Sequence, residues 1–378
     1  MYIPRNWEPR SSEISSRQLP TDMADFLPNV SLDAAGLVTI AEIPAIARRT
    51  ALTGSSVFTD MFVLCPGLHR QQSAQELSRG EFPAVAAMTT GYIFRVENPA
   101  TVCFLQGTGK TGHLTTIHVS SPSPDPEEQI FPKTKLKRWM AALQLPAMKP
   151  TPGSREEPIS LIAYMCAACA SPAVLILYLW LQEWWGVFCL LALVLARLCN
   201  VLVIRRRCLD EGGGWKGAAE PGVEGDLLVL LSGDCWIRIR GLVDDLKAVT
   251  AGQWMRDRTV GEDMVSAFAT LLTYVSAVLV CNISKVGQVL LLGLLIVSAG
   301  LLFVANAATK TMHMNGRTLR AVGEPKKYFR RRDLADELIK ETGRADWARK
   351  LGLIVGETKR EDEEVEVVTD EKEETVIL

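Results

Sequence analysis

Two short stretches of the chain carry residue types that could bind phosphate groups. The first is GTGKT at residues 107–111, which ends like a phosphate-binding loop. Such a loop also needs a glycine five residues before Gly109 and a helix after it, whose first amide groups face the phosphate. Phe104 stands at the first position, and the residues that follow, His113 to Val119, are rich in strand-forming types. The sequence therefore argues against a nucleotide site and predicts a glycine loop joining two antiparallel strands.

The second stretch is the pair Asp244-Asp245. Paired aspartates can hold magnesium and, through it, a diphosphate. The usual DDxxD pattern has a third acid where Ala248 stands, so this match also fails. A different chemistry remains open, in which acids of this region act as general acids on a lipophilic substrate at the membrane face. The candidate catalytic residues are Asp226, Asp234, Asp244, Asp245 and the neighbouring Arg238. The alternative is that they are solvated charges and turn residues.

Metal and cofactor chemistry has little support in the residue spacing. The chain has nine cysteines and four histidines, and their spacing does not match a zinc knuckle. Cys65, beside Pro66 and near His69, suggests either a reactive thiol or a buried cysteine at a turn. The sequence predicts no metal site and no bound cofactor.

Long apolar runs dominate the second half of the chain. Four segments have the roughly 20 apolar residues that a spanning helix needs, and they are 159–181, 186–204, 264–284 and 286–308. Short connections join them into two predicted transmembrane hairpins, 159–204 and 263–308. Arginine and lysine residues flank the spans at the ends away from these connections. The positive-inside rule therefore predicts that both termini and the central insert are cytosolic, in an endomembrane or plasma-membrane protein.

Arg197 is the one charge well inside a predicted span. It could extend its side chain to the cytosolic face, about 12 Å away at 1.5 Å per residue. It could instead form a pair or contact a substrate beside Asn200. The other spans contain no deep carboxylate to pair with it, which argues against a proton relay or an ion path.

The remaining chain divides into regions of different composition. Residues 1–120 predict a small α+β domain, with strands at Tyr92–Val96, Thr101–Gln106 and Leu114–Val119. Residues 121–158 predict a linker and a basic amphipathic helix, which lies either on the membrane surface or on the N-terminal domain. The insert, 205–262, predicts a β-hairpin and a helix, with Arg238 and Arg240 on a solvated strand face.

Two further regions follow the last span. Residues 309–357 predict a basic, helical segment whose basic cluster, Lys326 to Arg332, suits anionic lipid headgroups, and whose helix breaks near Gly343. Residues 358–378 predict a disordered acidic tail. The fold class predicted is an α-helical integral membrane protein. It has four transmembrane helices in two hairpins, a small α+β cytosolic N-terminal domain and a cytosolic insert of one β-hairpin and a helix.

The stretch from Glu224 to Trp254, EGDLLVLLSGDCWIRIRGLVDDLKAVTAGQW, resembles a segment found in uncharacterised multispanning membrane proteins of filamentous fungi. Some proteins of this kind accompany secondary-metabolite pathways, so the resemblance implies that context but assigns no catalytic residue.

Three functions are weighed from these observations. The leading expectation is a membrane protein that anchors or organises protein partners through its cytosolic regions, beside a bilayer with anionic headgroups. The alternatives are a membrane-bound cyclase or isomerase acting on a lipophilic intermediate and, third, a small-molecule transporter. The formal net charge of −2 gives no argument for a nucleic-acid partner.

Overall fold

The computed structural model describes residues 34–70, 74–121, 156–209 and 217–354. The predicted amphipathic helix before the first span and the predicted acidic tail, 358–378, lie outside these ranges. The helices in chain order are α1 Ala34–Ile40, α2 Ala45–Thr53, α3 Ala74–Ser78, α4 Pro99–Thr108, α5 Glu156–Trp180, α6 Trp184–Leu209, α7 Val243–Thr250, α8 Val260–Leu279, α9 Lys285–Ala308, α10 Arg331–Thr342 and α11 Asp346–Lys350. The strands are β1 Ala84–Ala87, β2 Ile93–Arg95, β3 His113–Ser120, β4 Glu224–Leu231, β5 Cys235–Leu242, β6 Thr311–Met314 and β7 Arg317–Lys327.

Four of these helices, α5, α6, α8 and α9, are long and apolar enough to cross a membrane, as the sequence predicts. Large apolar side chains such as Ile176, Phe268 and Ile296 are more than half exposed on their outer surfaces. Polar side chains such as Asn200 and Thr273 are buried between the helices. Since a water-soluble bundle has the opposite polarity, this distribution indicates membrane association.

The four long helices pair in a way that chain order does not reveal. α5 packs along α9, and α6 packs along α8. A 3₁₀ helix at Phe58–Phe62 contacts both α5 and α6, and α1 contacts both α8 and α9. The chain before the first span therefore enters the bundle, with residues 55–70 lying between α5 and α6.

One seven-stranded sheet combines strands from three parts of the chain, in the order β2-β1-β4-β5-β3-β7-β6. β3 and β5 pair in parallel, and the other neighbours pair antiparallel. β1–β3 precede the long helices, β4 and β5 lie between α6 and α8, and β6 and β7 follow α9. The N-terminal region, the insert and the C-terminal segment therefore share a sheet.

Two tight turns determine the register of the hairpins. The predicted β4–β5 hairpin is confirmed, and its turn residues Gly233 and Asp234 have φ of 72° and 55°. The β6–β7 hairpin turns at Asn315-Gly316, with φ of 48° and 71°. The β6–β7 loop has two residues between the paired Met314 and Arg317 and matches a type I′ turn, whose twist fits paired strands. The β4–β5 loop has three residues, 232–234.

Helices cover both faces of the sheet. On one face, α2, α4 and α7 pack over a core that includes Leu105, Ile117 and Ile237. On the other, α10 and α11 bury Leu334 and Trp347 against the sheet. Burial of each such side chain stabilises the fold by at most about 1.5–3 kcal/mol.

The structure corrects three expectations about local structure. The predicted strand Thr101–Gln106 is part of α4, which begins where the Asn98 side chain accepts hydrogen bonds from the amides of Ala100 and Thr101. The segment 309–357, predicted to be helical, begins with β6 and β7. The predicted break is confirmed, because α10 ends at Gly343 with φ of 71°.

The third correction concerns the strand face predicted to be solvated. Arg238 on that face is only 6% exposed, because α10 covers it. Arg240, two residues further along β5, keeps an exposed side chain. The arginine–isoleucine alternation therefore identified the strand correctly but not the surroundings of its arginines.

Candidate functional site

Of the sequence-predicted catalytic residues, Asp226 and Arg238 contact each other, whereas Asp234 lies apart from Asp244 and Asp245 on the sheet domain. Asp234, in the β4–β5 turn, accepts a hydrogen bond from Arg331 Nε at 2.7 Å. Asp244 accepts from the Glu220 amide at 2.9 Å, and the buried Asp245 accepts from Arg317 Nε at 2.9 Å. Each carboxylate is therefore engaged by a different part of the chain.

The distances between these acids are too long for one catalytic site. Asp234 precedes β5 and Asp244-Asp245 follow it, and β5 has eight residues. An extended strand of that length covers roughly 26 Å. Asp234 therefore lies far from Asp244 and Asp245. The last two are close to each other only because they are adjacent in the chain.

Arg238 has the densest set of ionic contacts in the sheet domain. Its guanidinium donates to both Asp226 oxygens, with Nε–Oδ1 3.0 Å and Nη2–Oδ2 2.6 Å, and to Glu341 Oε2 at 2.6 Å. Burial favours a lower pKa for Arg238, but the hydrogen bonds to Asp226 and Glu341 outweigh burial and raise that pKa. A permanently charged group that joins a strand to α10 fits a structural role better than proton transfer.

GTGKT does not form a phosphate loop. Gly107 and Thr108 end α4, Gly109 caps it, and β3 begins at His113. The segment thus follows the carbonyl end of a helix, where the helix dipole disfavours an anion. The predicted loop between two antiparallel strands is also wrong, because a helix precedes it.

Among the described residues, histidine, cysteine, aspartate and glutamate side chains form no group of three or more that could hold a metal ion.

A buried polar cluster forms where residues 55–70 enter the bundle. Asp60 is 8% exposed and accepts hydrogen bonds from the Tyr164 hydroxyl at 2.7 Å and from the Val57 amide at 2.9 Å. The Tyr164 oxygen also lies 2.8 Å from Thr59 Oγ1. One carboxylate thereby joins the inserted segment to α5.

Two guanidinium groups flank this carboxylate. Arg197 is 4% exposed and donates from Nε to the Asp60 backbone carbonyl at 3.3 Å, and the charge of Asp60 acts on its guanidinium. Arg49 lies over the Tyr164 ring, 5.2 Å from its centroid, and donates to Thr309 at 3.0 Å. The predicted extension of Arg197 to the membrane surface is therefore wrong, since its partner enters the bundle from outside the spans.

Side chains of the long helices also satisfy the backbone of the inserted segment. Ser171 donates to the Phe62 carbonyl at 2.6 Å and Asn200 to the Leu68 carbonyl at 2.8 Å. The Thr270 hydroxyl is shared between the Ser266 carbonyl of its own helix at 3.0 Å and the His69 carbonyl at 3.2 Å. Unpaired backbone groups are costly away from water, so irregular chain at this depth requires such partners. These three contacts fix residues 62–69 among α5, α6 and α8.

The segment reverses direction at Cys65-Pro66-Gly67-Leu68. Gly67 has φ of 86°, and a Cβ there would lie 2.9 Å from the backbone of Ile43. Only glycine meets both conditions. The interpretation of Cys65 as a buried residue at a turn is confirmed, because its exposed fraction is 0%.

Sequence reasoning missed Arg49, Asp60 and Tyr164. Arg197 was a usable signal, because a charge at the middle of a span needs a partner. A second signal was Asp60 itself, the single acid within an apolar run of residues 57–65.

Comparisons with known proteins do not identify the chain. No family model matches it, and no curated protein or solved structure matches it either. The functional conclusions therefore rest on its own sequence and geometry.

Proposed function

We propose that this chain is a multi-pass membrane protein that anchors its sheet domain at the cytosolic face of a membrane and organises protein partners there. The observation that carries this proposal is the sheet order, because strands from before, between and after the long helices pair with one another. The sheet is therefore connected to the bundle through several chain segments. Such a domain has little freedom to leave the bilayer surface, as an organising platform requires.

Charge at the helix ends supports a cytosolic sheet and two transmembrane hairpins, α5–α6 and α8–α9. The sheet-side ends of the long helices have six basic residues at or near them: Arg205, Arg206, Arg207, Arg256, Arg258 and Lys310. The opposite end has exposed Trp180, Trp184 and Trp185, which suit the lipid–water boundary. The sheet-side arginines suit anionic headgroups in an endomembrane or plasma membrane.

The same rule puts the N-terminus in the cytosol. Gly36 of α1 lies against the carbonyl of Ala277, near the end of α8 that is away from the sheet. Both termini are cytosolic in our proposal, and thiol labelling from the cytosol tests this for the N-terminus.

The proposed partner surface includes exposed apolar residues within β7 and just after its end. Phe329 is 88% exposed and Val322 is 53% exposed, and Lys327 lies over the Phe329 ring at 5.2 Å. Exposed aromatic groups beside basic residues fit a protein partner that offers an apolar pocket with an acidic rim. The resemblance to fungal membrane proteins adds the context of secondary-metabolite biosynthesis to this proposal.

Complementation separates organisation from acid catalysis. In a strain lacking the chain, Asp234→Asn and Asp245→Asn should restore the wild-type metabolite profile, since neither acid has a chemical role in this proposal. Phe329→Asp should fail at an equal membrane level, because it puts an acid opposite the partner's acidic rim. Failure of an acid variant made at the wild-type level would favour the membrane-bound enzyme, a cyclase or isomerase. Success of Phe329→Asp would exclude this surface.

Cysteine labelling examines the orientation of each side. A membrane-impermeant thiol reagent added from the cytosol should label Gly213→Cys, between α6 and β4, and a cysteine at Ser15. It should not label Lys285→Cys, between α8 and α9. Labelling of Lys285→Cys from the cytosol would contradict the two-hairpin arrangement, and lumenal labelling at position 15 would move the N-terminus across the membrane.

A further inference from the structure

Three charged side chains lie at an unexpected depth beside the bundle. Arg70 forms ion pairs with Glu42 and Glu76, and the three side chains are 45%, 57% and 40% exposed. They belong to the chain that enters the bundle, outside the long helices. Their exposure means that the described parts of the protein do not cover them.

The depth of Arg70 follows from its neighbour. The His69 carbonyl accepts a hydrogen bond from Thr270 at 3.2 Å. Thr270 is one residue from the centre of the candidate span Val260–Asn282, so it lies about 15 Å from the sheet-side end and about 18 Å from the other end. Glu42 lies at a similar level, because Ile43 packs against Gly67 in the same turn.

Charged groups at this depth cannot face hydrocarbon without a large cost. Irregular backbone is also tolerated there only inside protein or beside a water-filled cavity. We propose that Glu42, Arg70 and Glu76 line a water-filled inlet that opens on the sheet side and ends near mid-depth of the bundle beside His69. The inlet admits water and small polar solutes, which goes beyond anchoring.

The inner end of the inlet lies beside a buried polar group. His69 is 4% exposed, and its Nδ1 finds no hydrogen-bond partner within the part of the chain that the structure describes. Its ring lies 5.6 Å from the Tyr274 ring, which holds it against α8. The ring nitrogen is enclosed by protein, so His69 forms the closed inner wall of the inlet.

The outer end faces the sheet domain. Ser78, which ends α3, accepts a hydrogen bond from Gln106 of α4 at 3.0 Å. Glu76, in the same helix, therefore lies nearer the sheet than Arg70 does. The ion pairs of Arg70 thus connect mid-depth of the bundle with the sheet-side surface.

Thiol accessibility tests the inlet in the full-length protein. Arg70→Cys and, separately, Glu42→Cys are exposed in sealed vesicles with the sheet side outward to a charged, impermeant maleimide. Site-resolved mass spectrometry measures each rate, so the native cysteines stay in place. The control is Leu271→Cys, which follows Thr270 at the same depth and is 60% exposed on the outer face of α8.

We expect both inlet cysteines to react about a hundredfold faster than the control, because the reagent needs a thiolate, which hydrocarbon disfavours by at least that factor. Equal, slow rates at positions 42, 70 and 271 would overturn the inlet, since lipid or a second copy of the chain would then cover it. Equal, fast rates would also overturn it, because α8 would then not lie in hydrocarbon or the protein would have unfolded. Neither result depends on the partner surface at Phe329.

Discussion

Asp60→Ala should lower the stability of the folded protein by about 3–5 kcal/mol, the usual cost of removing one member of a buried ionic group. The substitution removes the acceptor for the Tyr164 hydroxyl and the Val57 amide. It also removes the acidic charge between Arg49 and Arg197, which are 9% and 4% exposed. Two buried guanidinium groups would then remain without a compensating carboxylate.

The apparent melting temperature in detergent, at one fixed heating rate, measures this effect, since membrane proteins often unfold irreversibly. Asp336→Ala is the matched control, because Asp336 forms an exposed pair with Arg332 at 3.6 Å. Such a pair contributes about 0–1 kcal/mol. Asp60→Asn keeps an acceptor oxygen and should fall between the two variants. Equal melting temperatures for Asp60→Ala and Asp336→Ala would show that the cluster does not hold residues 55–70 in the bundle.

Arg238→Met should lower stability by about 3 kcal/mol or more, because it leaves Asp226 without its main partner beneath α10. The side chains of Arg238 and Asp226 are 7% and 15% exposed. Arg238 also contacts Glu341, so its loss weakens the attachment of α10 to the sheet. Limited proteolysis of the segment after β7, together with the melting temperature, measures both consequences.

Arg240→Met is a close control for this substitution. Arg240 lies on the same strand face and contacts the same two acids, but at 3.3 Å and with a side chain 46% exposed. An exposed pair of this kind contributes at most about 1 kcal/mol. If Arg240→Met were as destabilising as Arg238→Met, burial under α10 would not be the cause.

Local sequence signals predicted much of the secondary structure and failed where two signals competed. The run of branched and aromatic residues from Thr101 to Gln106 favoured a strand, yet Asn98-Pro99 is a helix start, with a side-chain cap followed by proline. Asn315-Gly316 is a strong hairpin signal that the basic residues after it obscured. Both features are local capping and turn signals that the sequence contains.

The sequence by itself determined the four long helices, the β4–β5 hairpin and the break at Gly343, because each depends on composition or periodicity within a short window. Only the tertiary structure decided which strands share the sheet, since an alternating pattern does not specify its pairing partner. The same holds for residues 55–70, whose place between α5 and α6 depends on contacts such as Asn200 with Leu68, far apart in the chain. The identity of a charged residue does not show whether it is solvated or part of a buried pair. The burial of Arg197 and Arg238 therefore depends on distant segments that pack over them.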